Sequence, residues 1–466
     1  MPTNASIADR SAVSRNPATG KEIERFPFQS PAEIEQVLSS ADTAFRIWRE
    51  QPVADRAAVY ARLATTLRDR TDEIAAAITR EMGKITREAR AEVEKCAATA
   101  EWYAKHGPAL LADEPTSVEG TDQVHVSYLP IGTILGIMPW NFPLWQTIRA
   151  AVPIMLSGNA FVLKHAPNVM RSATMMQEAW EASGLPKGLF GILNVDTDGI
   201  EAVIEDGRIA GATLTGSMRA GSAVAALAGK NLKKSVLELG GIDPFIVLAD
   251  ADIDKAVKSA IAGRFSNCGQ VCLAAKRFIL EAPIADCFIA QFLEIARTLK
   301  AGDPLDEATS MGPIARDDLR DGVHDQVERS IASGAELLLG GHKIEGPGFF
   351  YEPTVLGGVK PGMAAFDEEV FGPVAAMVIA RDAEHAIELA NTSDYGLSGN
   401  LWTSDTETAR RTARRLETGG VFINGFTASN PRTPVGGVKK SGYGRELSHF
   451  GLREFTNAQT VWTKAG

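Results

Sequence analysis

Cysteine is scarce in this chain, with four among 466 residues. Small extracellular scaffolds held together by disulfides carry cysteine at a much higher density, so the composition excludes that class. The seven histidines are scattered, and none lies near Cys268 or Cys272 in sequence. Structural zinc sites need cysteine and histidine at close, repeated spacings, so we expect no metal site. The thiols are therefore either inert and buried, or one of them is reactive.

Positive charge is in deficit: 48 Lys and Arg residues stand against 58 Asp and Glu, which gives a net charge of −10. A nucleic-acid-binding surface needs a basic stripe, so that function is not expected. No apolar run reaches the roughly 18 residues that a membrane-spanning helix needs. The N-terminal sequence "MPTNASIADRSAVSRNPATG" lacks the basic flank and apolar centre of a signal peptide. We therefore expect a cytoplasmic protein that binds neither nucleic acid nor membranes.

Helical and strand-like patterns divide the chain into regions. The first ~110 residues have helical periodicity, with a capping box at Ser30 and Glu33. Residues 123–140 resemble a β-hairpin around a Pro-Ile-Gly turn. Strands and helices then alternate as far as "LELGG", and alternate again from "DPFIV" to about residue 435. Because the chain is also too long for one core, we expect an α/β protein with a doubly wound parallel sheet and a second α/β domain.

Cys272 is the first candidate for chemistry. It lies in "NCGQVC", where a helix gives way to the strand "KRFILEA", and Gly269 permits a sharp bend before it. A reactive thiol needs a loop position near dipoles that favour the thiolate. A free cysteine is more often a buried apolar side chain, so the residues alone leave both interpretations open.

Glu238 and Asn141 are two further candidates. Glu238 ends the apolar strand of "VLELGG", and ligands of parallel sheets bind at the carboxyl ends of strands, where a general base would be needed. A solvated carboxylate is the alternative. Asn141 lies in the proline-stiffened turn "MPWNFPLWQ", which suits an oxyanion donor. A loop amide bonded to the backbone is the alternative there.

Six motifs occur in a fixed order along the chain: "PWNFP", "LTGSMRAG", "LELGG", "NCGQVC", "EEVFGPV" and "GGVKKSGYGRE". In this order they resemble the NAD(P)-dependent aldehyde dehydrogenase superfamily, over nearly the whole chain. The resemblance implies a Rossmann-like cofactor domain (1–112 and 136–240), a catalytic domain (241–435) and a small β oligomerisation arm (113–135 and 436–466). It also implies a homodimer or homotetramer.

The same resemblance implies a mechanism. Cys272, and not Cys268, would add to the aldehyde carbon and give a thiohemiacetal, whose oxyanion the Asn141 amide and the Cys272 N–H would hold. Each such donor is worth ~3 kcal/mol of barrier. Hydride transfer to the nicotinamide would leave a thioester, and Glu238 would activate water to release the acid.

The cofactor site lacks a G-x-G-x-x-G sequence. Gly216 and Ser217 instead open a helix, where free N–H groups favour a pyrophosphate. The resemblance adds five further residues to this site: Trp140, Lys164, Gly240, Glu369 and Phe371. Many NAD-preferring relatives have a glutamate three residues after the lysine, and this chain has Pro167. We therefore expect both NAD and NADP to serve, with Lys164 and His165 helping to accept a 2′-phosphate.

Within the family the chain resembles bacterial succinate-semialdehyde dehydrogenases in "LKHAPN", "GQVCLAAKRF" and "KKSGYGRELSHFGL". The resemblance implies that Arg149 binds the distal carboxylate of the substrate. Trp145 would wall the channel and Ser429 would donate to that carboxylate. Two departures, Ser266 in place of a second arginine and Val435 in place of phenylalanine, allow broader aldehyde use.

Other functions remain open at this point. One is a broad-specificity, omega-carboxy or short-chain aldehyde dehydrogenase, and another is a CoA-acylating semialdehyde dehydrogenase, in which a thiol replaces water. CoA-acylating relatives commonly lack the glutamate of "LELGG", so its presence favours hydrolysis. A non-catalytic binding protein of the same fold would have lost the nucleophile, base or amide, and all three are present.

Overall fold

The computed structural model of the protein describes residues 10–119 and 123–464. The helices in these ranges are α1 (Pro31–Trp48), α2 (Val53–Asp69), α3 (Thr71–Met82), α4 (Thr86–Leu110), α5 (Trp145–Leu156), α6 (Met170–Ala182), α7 (Ile200–Glu205), α8 (Met218–Lys230), α9 (Ile253–Phe265), α10 (Ala282–Ala296), α11 (Asp317–Ala332), α12 (Ala364–Asp367), α13 (Ala383–Asn391), α14 (Thr406–Ala413) and α15 (Ser448–Glu454).

The strands in the same ranges are β1 (Ser11–Arg15), β2 (Glu22–Pro27), β3 (Glu114–Thr116), β4 (Gln123–Pro130), β5 (Thr133–Met138), β6 (Ala160–His165), β7 (Phe190–Ile192), β8 (Ile209–Thr215), β9 (Lys234–Glu238), β10 (Asp243–Val247), β11 (Ala275–Glu281), β12 (Glu336–Leu339), β13 (Thr354–Gly357), β14 (Val374–Ala380), β15 (Tyr395–Gly396), β16 (Gly399–Trp402), β17 (Val421–Ile423), β18 (Val438–Lys439), β19 (Gly442–Tyr443) and β20 (Thr456–Thr463).

Capping residues fix the ends of the N-terminal helices. The side chain of Ser30 accepts a hydrogen bond from the N–H of Glu33, and the Glu33 carboxylate accepts from the Ser30 N–H, which confirms the predicted capping box. Gly83 ends α3 in the left-handed region, at φ 81°, which a residue without Cβ adopts at little cost. The prediction of helices alone for the first ~110 residues is wrong at the start, because β1 and β2 form an antiparallel pair there.

Two large sheets organise the molecule. The first has the order β19-β9-β8-β5-β6-β7, and the second has the order β12-β13-β14-β11-β10-β16-β17. All neighbours are parallel except β19 with β9 and β12 with β13. Their central strands are buried on both faces because helices cover each side, as in doubly wound folds. The predicted α/β fold class is confirmed.

A hydrophobic cluster accompanies each sheet. One contains residues from Leu38 to Leu239 together with part of the C-terminal segment, and the other contains residues from Phe245 to Leu416. The chain passes between the clusters after Leu239, so Glu238 lies close to the crossing. The exact domain boundaries stay a prediction.

The predicted hairpin over residues 123–140 is wrong. Strand β4 pairs with β3 and β20 in a separate three-stranded sheet, whereas β5 lies inside the six-stranded sheet. The side-chain oxygen of Asn159 accepts hydrogen bonds from the N–H groups of Ile131 and Gly132, which fixes the crossing between the sheets. Alternation along the sequence marks strands but does not specify their partners, and this is the physical reason for the error.

Candidate active site

A cavity of about 240 Å³ lies at the carboxyl ends of β5, β8 and β9, which end at Met138, Thr215 and Glu238. This is the edge at which ligands of parallel sheets bind. Its walls include nine residues that the sequence predicted: Trp140, Asn141, Gly216, Ser217, Glu238, Gly240, Cys272, Glu369 and Phe371. The structure therefore brings together the candidate nucleophile, base and amide and most of the predicted cofactor residues.

Cys272 follows a strained segment of backbone. The short 3₁₀ helix Ser266–Gly269 contains Asn267 at φ 51° and Cys268 at φ 55°, followed by Gly269 at φ 70°. Left-handed conformations at non-glycine residues persist only where the surroundings hold them. Glu88 supplies such a hold, because its carboxylate accepts from the Asn267 N–H at 3.0 Å. The loop before Cys272, the candidate nucleophile, is thus fixed by a carboxylate of α4.

Asn141 is tied to the same loop by two hydrogen bonds. Its Nδ2 donates to the carbonyl oxygen of Gln270 at 3.0 Å, and the Nδ2 of Asn267 donates to the carbonyl oxygen of Asn141 at 2.9 Å. The residue is buried. A side-chain amide carries two N–H donors, so one bond to Gln270 leaves the second N–H for a ligand.

Burial favours the neutral forms of both Glu238 and Cys272. Burial raises the pKa of Glu238 to about 8, although the charge of Arg149 acts to lower it. Burial likewise raises the pKa of the Cys272 thiol to about 11, against the charges of Arg149 and Lys276. The expectation that dipoles favour the Cys272 thiolate is therefore wrong for the protein without substrate, because desolvation outweighs the nearby positive charges. A base beside the thiol is needed to remove its proton.

Arg149 does not line the cavity, and it has an acidic partner within the chain. Its guanidinium forms a buried ion pair with Glu446, and its Nη2 lies 3.4 Å from the Oγ1 of Thr215. An arginine already paired in this way has no free charge for a substrate carboxylate. The predicted role of Arg149 as the substrate cation therefore stays a prediction that the geometry does not favour.

Trp145 and Ser429, the other predicted substrate residues, come together around a residue that the sequence did not single out. The Nζ of Lys95 lies 4.2 Å from the ring centroid of Trp145 and donates to the Oγ of Ser429 at 2.7 Å. Lys95 follows Glu94 on a helix with ordinary amphipathic spacing. No local signal distinguishes it from a surface lysine, since its partners come from distant parts of the chain.

Lys276 is a second residue that sequence reasoning missed. It is buried, donates from Nζ to the carbonyl oxygen of Cys272 at 2.6 Å, and lies 3.4 Å from the carboxylate of Glu369. It therefore links the nucleophile loop to a predicted cofactor residue. Its position four residues after the cysteine is the one signal that the sequence offers.

The cofactor side of the cavity fits a dinucleotide. A Cβ on Gly240 would come within 2.1 Å of the Glu369 carboxylate, so the glycine leaves room for that carboxylate in its present position. The Glu369 carboxylate accepts from the Gly241 N–H at 3.1 Å, and the rings of Trp140 and Phe371 meet edge to face at 5.8 Å. The first residues of α8 are exposed. Their N–H groups can therefore receive a phosphate.

The last two residues of β6, Lys164 and His165, suit a bound cofactor less well than predicted. Lys164 is half-buried and does not line the cavity, and burial lowers its pKa. His165 is fully buried, with Nε2 2.9 Å from the carbonyl oxygen of Pro143. The expectation that His165 helps to accept a 2′-phosphate is wrong, because its ring faces the protein interior.

No group of three or more His, Cys, Asp or Glu side chains in residues 10–119 and 123–464 is placed to hold a metal ion. None of the helices in those ranges is both long and apolar enough to cross a membrane.

Comparisons with known proteins agree on one family. A model of the family described as "Aldehyde dehydrogenase family" matches residues 5–461. The succinate semialdehyde dehydrogenase [NAD(P)+] Sad of Escherichia coli (strain K12) is 57% identical over 451 residues, which is 97% of each chain. The succinate-semialdehyde dehydrogenase [NADP(+)] of Mycolicibacterium paratuberculosis is 46% identical over 96% of this chain and 95% of its own.

Solved structures are similar over almost the same extent. The succinic semialdehyde dehydrogenase from Streptococcus pyogenes in complex with NADP+ superposes with a TM-score of 0.95 at 37% identity, covering 97% of this chain and 100% of the other. The succinate-semialdehyde dehydrogenase from Burkholderia pseudomallei superposes with a TM-score of 0.95 at 33% identity, covering 98% and 95%.

Proposed function

The chain belongs to the aldehyde dehydrogenase family, and from that premise we propose that it oxidises succinate semialdehyde to succinate in the cytoplasm, with NAD+ or NADP+. One observation carries the proposal: a single cavity contains a cysteine, a buried carboxylate and a buried amide beside the exposed start of a helix in a nucleotide-type sheet. Relatives that match nearly the whole chain are named for the same substrate and cofactors.

In the first half of the reaction Cys272 is the nucleophile. Glu238 takes the proton from Sγ, and the resulting thiolate adds to the aldehyde carbon to form a thiohemiacetal. The second amide N–H of Asn141 and the backbone N–H of Cys272 hold the developing oxyanion, at ~3 kcal/mol each. The pKa of the Cys272 thiol, about 11, lies well above that of Glu238, about 8, so the proton moves to the ionised form of Glu238 as the bond from sulfur to the aldehyde carbon forms.

In the second half Glu238 acts on water. The nicotinamide, when bound, supplies the acceptor for the hydride of the adduct, so that Cys272 then carries a thioester. Glu238 first releases the proton of Cys272 to solvent, and its carboxylate then accepts a proton from water as the oxygen attacks the acyl carbon and the bond to sulfur breaks. The carboxylic acid leaves and the thiol of Cys272 regains a proton, which restores the starting state.

Both cofactors serve in this proposal. Glu369 would bind the nicotinamide ribose, Gly216 and Ser217 the pyrophosphate, and Lys164 the adenosine ribose. Pro167 is exposed and neither repels a 2′-phosphate nor donates a hydrogen bond to it. Specificity constants for NAD and NADP measured on the same preparation test this, and a preference beyond ~1000-fold for either cofactor would contradict it.

The test of the chemistry is turnover by matched variants, followed at 340 nm with a panel of aldehydes, with and without CoA. Cys272→Ala should abolish turnover, and Cys287→Ala, at an exposed thiol, should leave it unchanged. Glu238→Gln should release at most one equivalent of reduced cofactor, because the thioester is no longer hydrolysed. Undiminished turnover by Cys272→Ala would refute the proposal, and CoA-dependent turnover would indicate the acylating alternative.

The proposed assembly is a homodimer or homotetramer. The three-stranded sheet supports it, since β20 pairs with β4 along eight residues, Thr456–Thr463, at the side of the molecule. An exposed strand edge is a ready site for pairing with another copy. Light scattering on the purified protein decides the point, and a monomer at micromolar concentration would overturn it.

A further inference from the structure

Lys95 is a cation without an acidic partner at the substrate side of the site. Among the described residues it forms no salt bridge, and its Nζ contacts the Oγ of Ser429 at 2.7 Å and the ring face of Trp145 at 4.2 Å. Lys95 and Ser429 are half-buried, and Trp145 is buried. A lysine drawn below the surface without a carboxylate is costly, which is expected where a ligand supplies the missing charge.

Lys95 is not among the residues that line the two cavities, but both of its partners adjoin them, because Trp145 precedes Gln146 in the wall of the first cavity and Ser429 lines the second. The second cavity has a volume of about 40 Å³, and its wall also contains Leu273, the neighbour of Cys272. Trp145 opens α5, four residues after Asn141. The ammonium group is therefore held between the element that carries the candidate oxyanion donor and the loop that borders the second cavity.

We propose that the Lys95 ammonium binds the distal carboxylate of the substrate, with the Ser429 hydroxyl as the second donor. This inference rests on the proposed function and names the residue that selects a carboxylated aldehyde. Arg149, the cation predicted for that role, is already paired with Glu446, and position 266, where a second arginine would lie, is the uncharged Ser266.

The burial and the neighbouring charges of Lys95 favour the binding of an anion. Its pKa is lowered to about 8, mainly by burial; the charges of Arg149 and Lys84 act in the same direction, while Cys96 and Glu92 act in the opposite direction. A bound carboxylate would favour the charged form of Lys95. In the free protein the ammonium form is lost as the pH rises through that value, so binding of an anionic substrate should weaken there.

The test compares succinate semialdehyde with butyraldehyde, which has a methyl group in place of the carboxylate. Lys95→Met keeps the length of the side chain and removes its charge. It should raise the KM for succinate semialdehyde about 10- to 100-fold, and leave the KM for butyraldehyde within ~3-fold of its original value. Lys95→Arg should retain most of the affinity for succinate semialdehyde. Lys105→Met, at an exposed lysine of the same helix, is the matched control and should change neither constant.

The possible outcomes distinguish an error in the role of Lys95 from an error in the proposed substrate. Equal changes for both aldehydes in Lys95→Met would show that Lys95 only packs against Trp145, and would overturn the inference. A wild-type protein that oxidises butyraldehyde and not succinate semialdehyde would instead overturn the proposed substrate. If Lys95→Met does not fold, the wild type still provides a test. Its KM for succinate semialdehyde should rise above pH 8 while that for butyraldehyde does not, and a flat KM would refute the role of Lys95.

Discussion

The Nε2 of His165 lies 2.9 Å from the carbonyl oxygen of Pro143, and this contact holds the turn that carries Asn141. The N–H of Ala166 donates to Nδ1 at 2.9 Å and the Met138 carbonyl oxygen lies farther from Nδ1, at 3.3 Å, which favours the tautomer with the proton on Nε2. Burial lowers the pKa of His165 to about 4, so the ring is neutral at physiological pH. A neutral histidine at the end of β6 thus fixes the loop at the end of β5.

His165→Phe should therefore lower kcat/KM roughly 10- to 100-fold, because a displaced amide no longer meets the developing oxyanion. Phenylalanine fills the same space but leaves the Pro143 carbonyl without its donor. Steady-state kinetics with a folded-state check by circular dichroism measure the effect. His342→Phe, at an exposed histidine, is the matched control. Unchanged kinetics in His165→Phe would show that the turn keeps its shape without the ring.

The raised pKa of Glu238 predicts that activity is lost as the pH falls below about 8. A general base works as the carboxylate, and Glu238 is ionised only above a pKa of about 8. At saturating aldehyde and cofactor, kcat should therefore rise about tenfold per pH unit below this value and level off above it. Rates from pH 6 to 9.5 with one buffer series test this. A kcat that does not vary between pH 6 and 8 would show that Glu238 is ionised throughout and that its buried state here is not the working one.

Substitutions of Arg149 and of Glu446 should shift the midpoint of the kcat–pH profile in opposite directions. The charge of Arg149 lowers the pKa of Glu238 and the charge of Glu446 raises it. Glu446→Gln should thus shift the midpoint of the kcat profile to lower pH by about one unit, and Arg149→Met should shift it to higher pH by a similar amount. Both effects should be the same for succinate semialdehyde and butyraldehyde. A rise in KM confined to succinate semialdehyde in Arg149→Met would instead favour Arg149 as the substrate cation.

The sequence predicted which residues share a cavity better than it predicted the pairing of strands. Cys272, Glu238 and Asn141 line one cavity because each lies at or just beyond the end of a regular element, and strand ends converge at one edge of a parallel sheet. Their catalytic roles stay predictions. The partner of β4 was missed because alternation in sequence gives the face of a residue and not its neighbouring strand.

Charge pairing was the feature hardest to predict. Arg149 stands four residues after Trp145 on α5, and nothing nearby in sequence shows that Glu446 takes up its charge. Lys95 has the spacing of a helix-surface residue, and its ring and hydroxyl partners come from other parts of the chain. Burial depends on such long-range contacts, so the raised pKa of Cys272 was also beyond local reasoning.

A buried ion pair between Lys84 and Glu92 packs against the loop that contains Asn141. Both side chains are almost fully buried, at 0% and 1% exposure. The Nζ of Lys84 lies 3.6 Å from the ring centroid of Phe142, next to Asn141. The Oε1 of Glu92 accepts from the N–H groups of Leu144 and Trp145 at 2.9 Å each, which satisfies the start of α5.

Glu92→Gln should destabilise the protein by about 3–5 kcal/mol, because it leaves the Lys84 ammonium buried without a counter-charge. The amide oxygen of glutamine can still accept from the two N–H groups of α5, so the loss reports the charge and not the helix cap. The double variant Lys84→Met, Glu92→Gln removes both charges and should recover most of the stability, since neither partner is then left unpaired. Denaturant unfolding of the single and double variants measures the difference. A Glu92→Gln protein as stable as the parent would mean that Glu88, on the adjacent turn of α4, already compensates the charge of Lys84.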